Sequence, residues 1–148
     1  MGNLQDKQKI AEFCGAMAGD GWIQNDGRCL FLTGDSTEDR DYYDFHIKPL
    51  VRSIIYPCIP RSFPYWKVYG ICIYRKGIIK KIVENFKIQK GKKVKSVQVP
   101  DWIKKSKKEI KNGFLRGLFD TDGGLFCQKD YTKYANNFNS KYHTKIRL

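Results

Sequence analysis

The feature that most constrains this chain is an internal repeat. The run Phe13-Cys14-Gly15-Ala16-Met17-Ala18-Gly19-Asp20-Gly21-Trp22-Ile23 superposes on Leu115-Arg116-Gly117-Leu118-Phe119-Asp120-Thr121-Asp122-Gly123-Gly124-Leu125 at an offset of 102 positions. Gly15 matches Gly117, Asp20 matches Asp122 and Gly21 matches Gly123, with apolar residues between them. A repeat of this kind marks a structural unit used twice. Gly15 and Gly19 fall four apart, on one face of a helix, and Gly117 with Thr121 repeats the spacing. Glycine inside a helix costs about 1 kcal/mol relative to alanine. A chain that carries this cost twice is expected to use the bare faces for close helix–helix approach.

The acids of the repeat are placed against the helix dipole. Asp20, Asp120 and Asp122 come at the C-terminal ends of their expected helices, where negative charge is disfavoured by up to about 1 kcal/mol. If the helices cross on their glycine faces, Asp20 and Asp122 converge at one end. Two converging carboxylates bind a hard divalent cation, with Mg²⁺ the expected one. The rest of the chain is strongly basic: 28 Lys and Arg against 15 Asp and Glu, a net charge of +13. Such a surplus attracts polyanions, with nucleic acid first among them inside a cell. No apolar run of about 18 residues exists, which excludes a membrane-spanning helix as a reading. Five scattered cysteines without a CxxC pair point to free thiols in a reducing compartment, cytoplasmic or organellar, rather than zinc or disulfides.

Periodicity predicts an α+β chain. A helix is expected over 5–19, capped by Asp6, followed by strands at 22–24 and 28–33 around an Asn25-Asp26-Gly27 turn. A second helix follows over 38–55, with Tyr42, Phe45, Ile47 or His46, Leu50 and Ile54 inward. Two strands are expected at 65–69 and 71–74 with Gly70 between them, then a helix at 78–86. Residues 87–99 read as a lysine-rich link ending at Pro100. A helix from about 106 to 120 and two strands, 125–128 and 144–148, complete the reading. Residues 1–99 thus form one unit, and 100–148 begin a second.

FCGAMAGDG and LRGLFDTDG resemble the paired motifs of the LAGLIDADG homing endonucleases, and Pro100-Asp101-Trp102-Ile103 resembles the lead-in to their second motif. The resemblance implies two motif helices packed at the centre beneath an antiparallel saddle sheet, and site-specific hydrolysis of double-stranded DNA by an intron-encoded or free-standing enzyme. Carried onto this sequence, it makes Asp20 and Asp122 the metal-binding acids. The carbonyls of Gly19 and Thr121 complete the Mg²⁺ shell, and Gly15, Gly19, Gly117 and Thr121 form the helix seam. Asp120 takes a structural role. Lys92 and Lys93 are the candidate catalytic lysines. The groove-facing candidates are Gln24, Arg28, Tyr65, Lys67, Tyr74 and Arg75, with Ile23, Ile71 and Ile73 packed inward on the helices.

The pattern departs from a two-motif enzyme in one respect. About 25 residues follow the second motif, where analogy with the first unit asks for about 60 to 80. A fragment, a truncated remnant, or completion by self-association would each account for this. Two other functions therefore stand beside the endonuclease: a non-catalytic nucleic-acid binder, such as a maturase-like RNA-splicing factor or a regulator, and an inactive remnant.

Overall fold

A computed structural model describes residues 3–91, 98–129 and 142–147. It is an α+β arrangement in the order expected: helix α1 (Leu4–Gly19), strands β1 (Gly21–Ile23) and β2 (Leu30–Asp35), a helical segment (α2, Arg40–Tyr42; a π-helical turn, Tyr43–Ile47; α3, Lys48–Ile54), strands β3 (Arg61–Phe63) and β4 (Val68–Ile73), and helix α4 (Lys76–Phe86). After the link come a short helix α5 (Asp101–Lys104), helix α6 (Lys108–Asp122) and strands β5 (Gly124–Lys129) and β6 (Tyr142–Arg147). Among these residues no helix is long and apolar enough to cross a membrane.

Local chemistry sets the ends of α1. Its cap is Asn3, whose side chain accepts from the N–H of Asp6 while the Asp6 carboxylate accepts from the N–H of Asn3. Asp6, expected as the cap, is the reciprocal partner of a capping box. The first four strands form an antiparallel sheet in the order β1-β2-β4-β3. β5 and β6 pair antiparallel with each other, Gly124 opposite Arg147 and Lys129 opposite Tyr142. On one face of the larger sheet Ile23, Leu30, Leu32, Ile71 and Ile73 are all buried, as alternation demands. That face meets Phe13 and Met17 of α1, Tyr43, Ile47 and Val51 of the second helical segment, and Ile79 and Ile82 of α4 in one core.

Two expectations fail here. The second hairpin turns at residues 64–67, not at Gly70. Pro64–Trp66 make a 3₁₀ turn closed by Lys67 at φ 54°, and β4 runs straight through Gly70. Gly70 has φ 157°, and a Cβ there would lie 2.7 Å from Thr33 Cα and 2.9 Å from Tyr43, so it marks a close approach within the sheet and not a turn. Tyr65 and Lys67 consequently belong to the turn and not to a strand. The second error is Phe45, expected inward but 80% exposed. The buried positions are Tyr43, Ile47, Leu50 and Val51, a phase in which Phe45 lies on the outside of the π-helical turn.

Candidate functional site

α1 and α6 pack along their small residues. A Cβ on Gly15 would overlap the Phe114 carbonyl oxygen and sit 2.8 Å from Leu118 N; one on Gly117 would overlap the Glu12 oxygen and sit 2.8 Å from Ala16 N. The contacts advance together along both helices, Gln8 against Gly113, Glu12 against Gly117 and Gly19 against Thr121, so the helices run parallel. Their C-termini therefore meet at one end. There a Cβ on Gly19 would overlap Thr121 Oγ1 and lie 3.1 Å from Asp122 Cβ. The Thr121 hydroxyl donates back to the Gly117 carbonyl at 2.9 Å.

This seam brings Gly15, Gly19, Gly117 and Thr121 into one interface and sets the two repeat acids at its end. Asp20 is the C-cap of α1, half-buried, with its N–H donating to the Ala16 carbonyl at 3.0 Å. Asp122 is the last residue of α6 and exposed. Beneath them, Tyr42 and Tyr43 have buried hydroxyls that make no hydrogen bond among the described residues. Burial first, then the charge of Asp20, pushes the Tyr43 hydroxyl far above its ordinary range. Burial, then Asp120, Glu12 and Asp20, does the same for Tyr42. Both phenols therefore stay protonated donors.

A second polar group lies farther along α1. Glu12 is only 5% exposed, and its Oε1 lies 2.5 Å from His46 Nε2. Its Oε2 lies 3.7 Å from the Arg116 guanidinium. Ligand atoms of Glu12, His46 and Asp120 all fall within 4.8 Å of one another. Carboxylate and imidazole donors at this spacing could hold a divalent cation, with Arg116 as the competing positive charge. Asp120, assigned a structural role from its place in the repeat, thus shares a cluster with two residues that sequence reasoning missed. The one signal available was a carboxylate at position 12 set between the apolar residues Ala11 and Phe13.

The groove-facing candidates scatter. Gln24, on the outward side of the sheet, accepts from the Cys29 thiol at 3.1 Å, and Tyr74 continues the outward series of β4. Arg28 lies in the first hairpin turn, paired with Asp26 at 3.2 Å. Arg75 caps α4 and stacks over Tyr56, 5.4 Å from the ring centre. Tyr65 and Lys67 are exposed on the second turn. Lys92 and Lys93 lie outside the described residues. The outward face itself is aromatic: Phe31 lies 5.9 Å from Trp22 in a stacked pair, 5.8 Å from Phe63 and 6.2 Å from Tyr74, edge-on to both. Trp66 extends the row, 6.2 Å from Phe63 and 5.9 Å from Tyr65.

No family model matches the chain. Over 57 residues it is 40% identical to the tRNA-splicing ligase RtcB of Methanopyrus kandleri, a stretch that makes up 38% of this chain and 6% of that protein.

Proposed function

We infer that this chain is a site-specific, Mg²⁺-dependent endonuclease of double-stranded DNA, built as a LAGLIDADG unit with its second motif helix docked on the first. The observation that supports the reading is the parallel seam, which puts Asp20 and Asp122 at one end of the same helix pair. The donor set fits the ion. Two carboxylates and the carbonyls of Gly19 and Thr121 are hard oxygen ligands at helix C-termini, where a cation is favoured. Mg²⁺ held there supplies Lewis-acid activation of the phosphate and of water. The chain's own part is positional. Gly15 and Gly117 let the backbones approach, and that approach fixes the spacing of the two acids. Tyr43, held neutral, keeps its proton beside the Asp20 charge. The net charge of +13 draws the polyanion in.

The test is cleavage of a plasmid carrying the gene's flanking sequence, with Mg²⁺ and with chelator, by the wild type beside Asp20→Asn and Asp122→Asn. Cleavage that is Mg²⁺-dependent and lost in both variants is expected. A folded wild type that binds the plasmid without cutting it would replace this reading with the non-catalytic binder. A second reading rests on the Glu12–His46–Asp120 cluster, which offers its own cation position. In that case His46→Ala abolishes cleavage and Asp20→Asn leaves it intact.

A further inference from the structure

Among the described residues Glu12 is the one charged side chain that the fold buries. A carboxylate taken out of water has to be paired or to hold a metal. Arg116 pairs it poorly, because at 3.7 Å from Oε2 the guanidinium is beyond hydrogen-bond reach. His46 meets the other oxygen, Oε1, and Asp120 brings a second carboxylate within 4.8 Å of both. Three elements thus converge on one point: α1, the π-helical turn and α6.

The surroundings are those of a built site. His46 lies inside a π-helical turn, an uncommon conformation that recurs where proteins bind and react. The Tyr42 ring stacks on its imidazole, 5.4 Å between ring centres and 22° apart, and so sets the ring's orientation. The Tyr42 hydroxyl is buried without a hydrogen-bond partner among the described residues, in the fields of Asp120 and Glu12. It is a donor placed to hold a carboxylate drawn onto an ion. A groove of about 350 Å³, with Gln8, Ser53 and Arg116 in its walls, opens onto Glu12 and His46 and gives water a way in.

The donor set selects the ion. The Asp20 and Asp122 end offers oxygen alone, which suits Mg²⁺. An imidazole nitrogen beside two carboxylates suits Zn²⁺ instead. Three protein ligands and one water from the groove complete its four-coordinate shell. Zinc holds its ligands at about 2.0–2.2 Å, so the donors have to draw together, and Asp120, exposed on the last turn of α6, can swing in to do so.

We propose that Glu12, His46 and Asp120 form a zinc site, separate from the repeat acids, that staples α6 to the first unit. The staple acts where α6 is thinly covered, beside exposed Leu115 and Arg116. It requires neither DNA nor hydrolysis.

The test is a calorimetric titration of the full chain with zinc chloride, in excess Mg²⁺ and without DNA, paired with thermal unfolding. One Zn²⁺ per chain is expected. With zinc about a hundredfold above its dissociation constant, Tm should rise by about 5–10 °C. His46→Ala, and Asp120→Asn at an exposed position, should each weaken binding more than about a hundredfold, beyond the range of outer-shell changes, and abolish the rise. Tyr42→Leu should weaken it about tenfold. Arg116→Gln removes a competing charge and should tighten it about fivefold, a gain that a merely packing role would not produce. Zinc affinity unmoved in both His46→Ala and Asp120→Asn would overturn the proposal. Mg²⁺ displacing Zn²⁺ on equal terms would give the cluster to a hard cation and overturn it too. Affinity lost in Asp122→Asn but kept in Asp120→Asn would move the ion to the repeat acids, with the same result. Zinc uptake without cleavage of DNA removes the hydrolytic reading alone; cleavage without zinc uptake removes this one alone.

Discussion

Phe13 of α1 and Leu115 of α6 hold the same place in the two copies of the repeat, yet Phe13 is 1% exposed and Leu115 46%. Phe13 lies edge-on to Phe86 of α4, 6.0 Å between ring centres, inside the main core. The contrast extends to their neighbours. Cys14 is buried with its thiol 3.9 Å from the Phe86 carbonyl, whereas its counterpart Arg116 is exposed and reaches Glu12. Gly15 and Gly117, by contrast, are buried alike and meet each other's helix in the same manner. What the two copies share in structure is the seam. Their flanks differ because α1 is enclosed by a sheet and two further helical segments, while α6 buries Ile110, Gly113, Phe114 and Gly117 and leaves Leu115, Arg116 and Asp120 outside.

The comparison is broken most directly at its widest gap. Phe13→Ala should cost about 3–5 kcal/mol of unfolding free energy in a denaturant titration, by lost transfer and cavity. Leu115→Ala should fall within about 0.5 kcal/mol of wild type, as exposed positions do. Similar losses at the two sites would mean that α6 is as well covered as α1.

The seam sharpens the comparison from the other side. Gly15→Ala and Gly117→Ala each gain about 1 kcal/mol of helix propensity. Each also drives a methyl into the backbone of the facing helix, which has no rotamer with which to give way. The clash outweighs the gain, and a net loss of about 1–2 kcal/mol is expected at both positions. A stabilised variant at either one would show a looser crossing.

The smallest effect is a pH dependence carried by Cys14 and absent at Arg116. Burial pushes the Cys14 thiol far above its ordinary value of 9.0. Its contribution to stability is whole below that value and is lost as pH rises, because the unfolded thiol ionises first. From about pH 8 to pH 10 this amounts to about 1.4 kcal/mol. Unfolding titrations at the two pH values should show the loss in the wild type and a correspondingly smaller one in Cys14→Ala. Tyr42 and Tyr43, displaced in the same direction from 10.0, add the same sign at higher pH.

The element order was readable because each signal was local. Asn25-Asp26-Gly27 made its hairpin, with Gly27 at φ 70°, and the inward isoleucines of β1 and β4 followed the pleat. Gly15, Gly19, Gly117 and Thr121 were readable as small faces because the repeat displayed them twice. The second hairpin misled because Gly70 looks like a turn residue, while the residue that makes the turn, Lys67, has a side chain type that gives no such signal. Phe45 was misplaced because it lies inside a π-helical turn, whose wider spacing gives the inward places to Tyr43 and Ile47 and turns Phe45 out. The Glu12–His46 contact joins residues 34 apart with no repeated partner, and nothing short of the fold pairs them. The outward aromatic row comes from four separate strands, with Tyr74 just past the end of β4, and their pairing order had to be known first.

The parallel seam also sets a timetable. Gly15 meets Phe114 across about 100 residues of chain, and at about 5–20 residues per second a ribosome takes on the order of 5–20 s to deliver the partner. Through that interval α1 can settle against its own sheet, with one bare glycine stripe facing water. The nascent chain thus carries a ready-made slot shaped for a single helix, and the two acids stay apart until that helix arrives. Their meeting waits on the synthesis of α6.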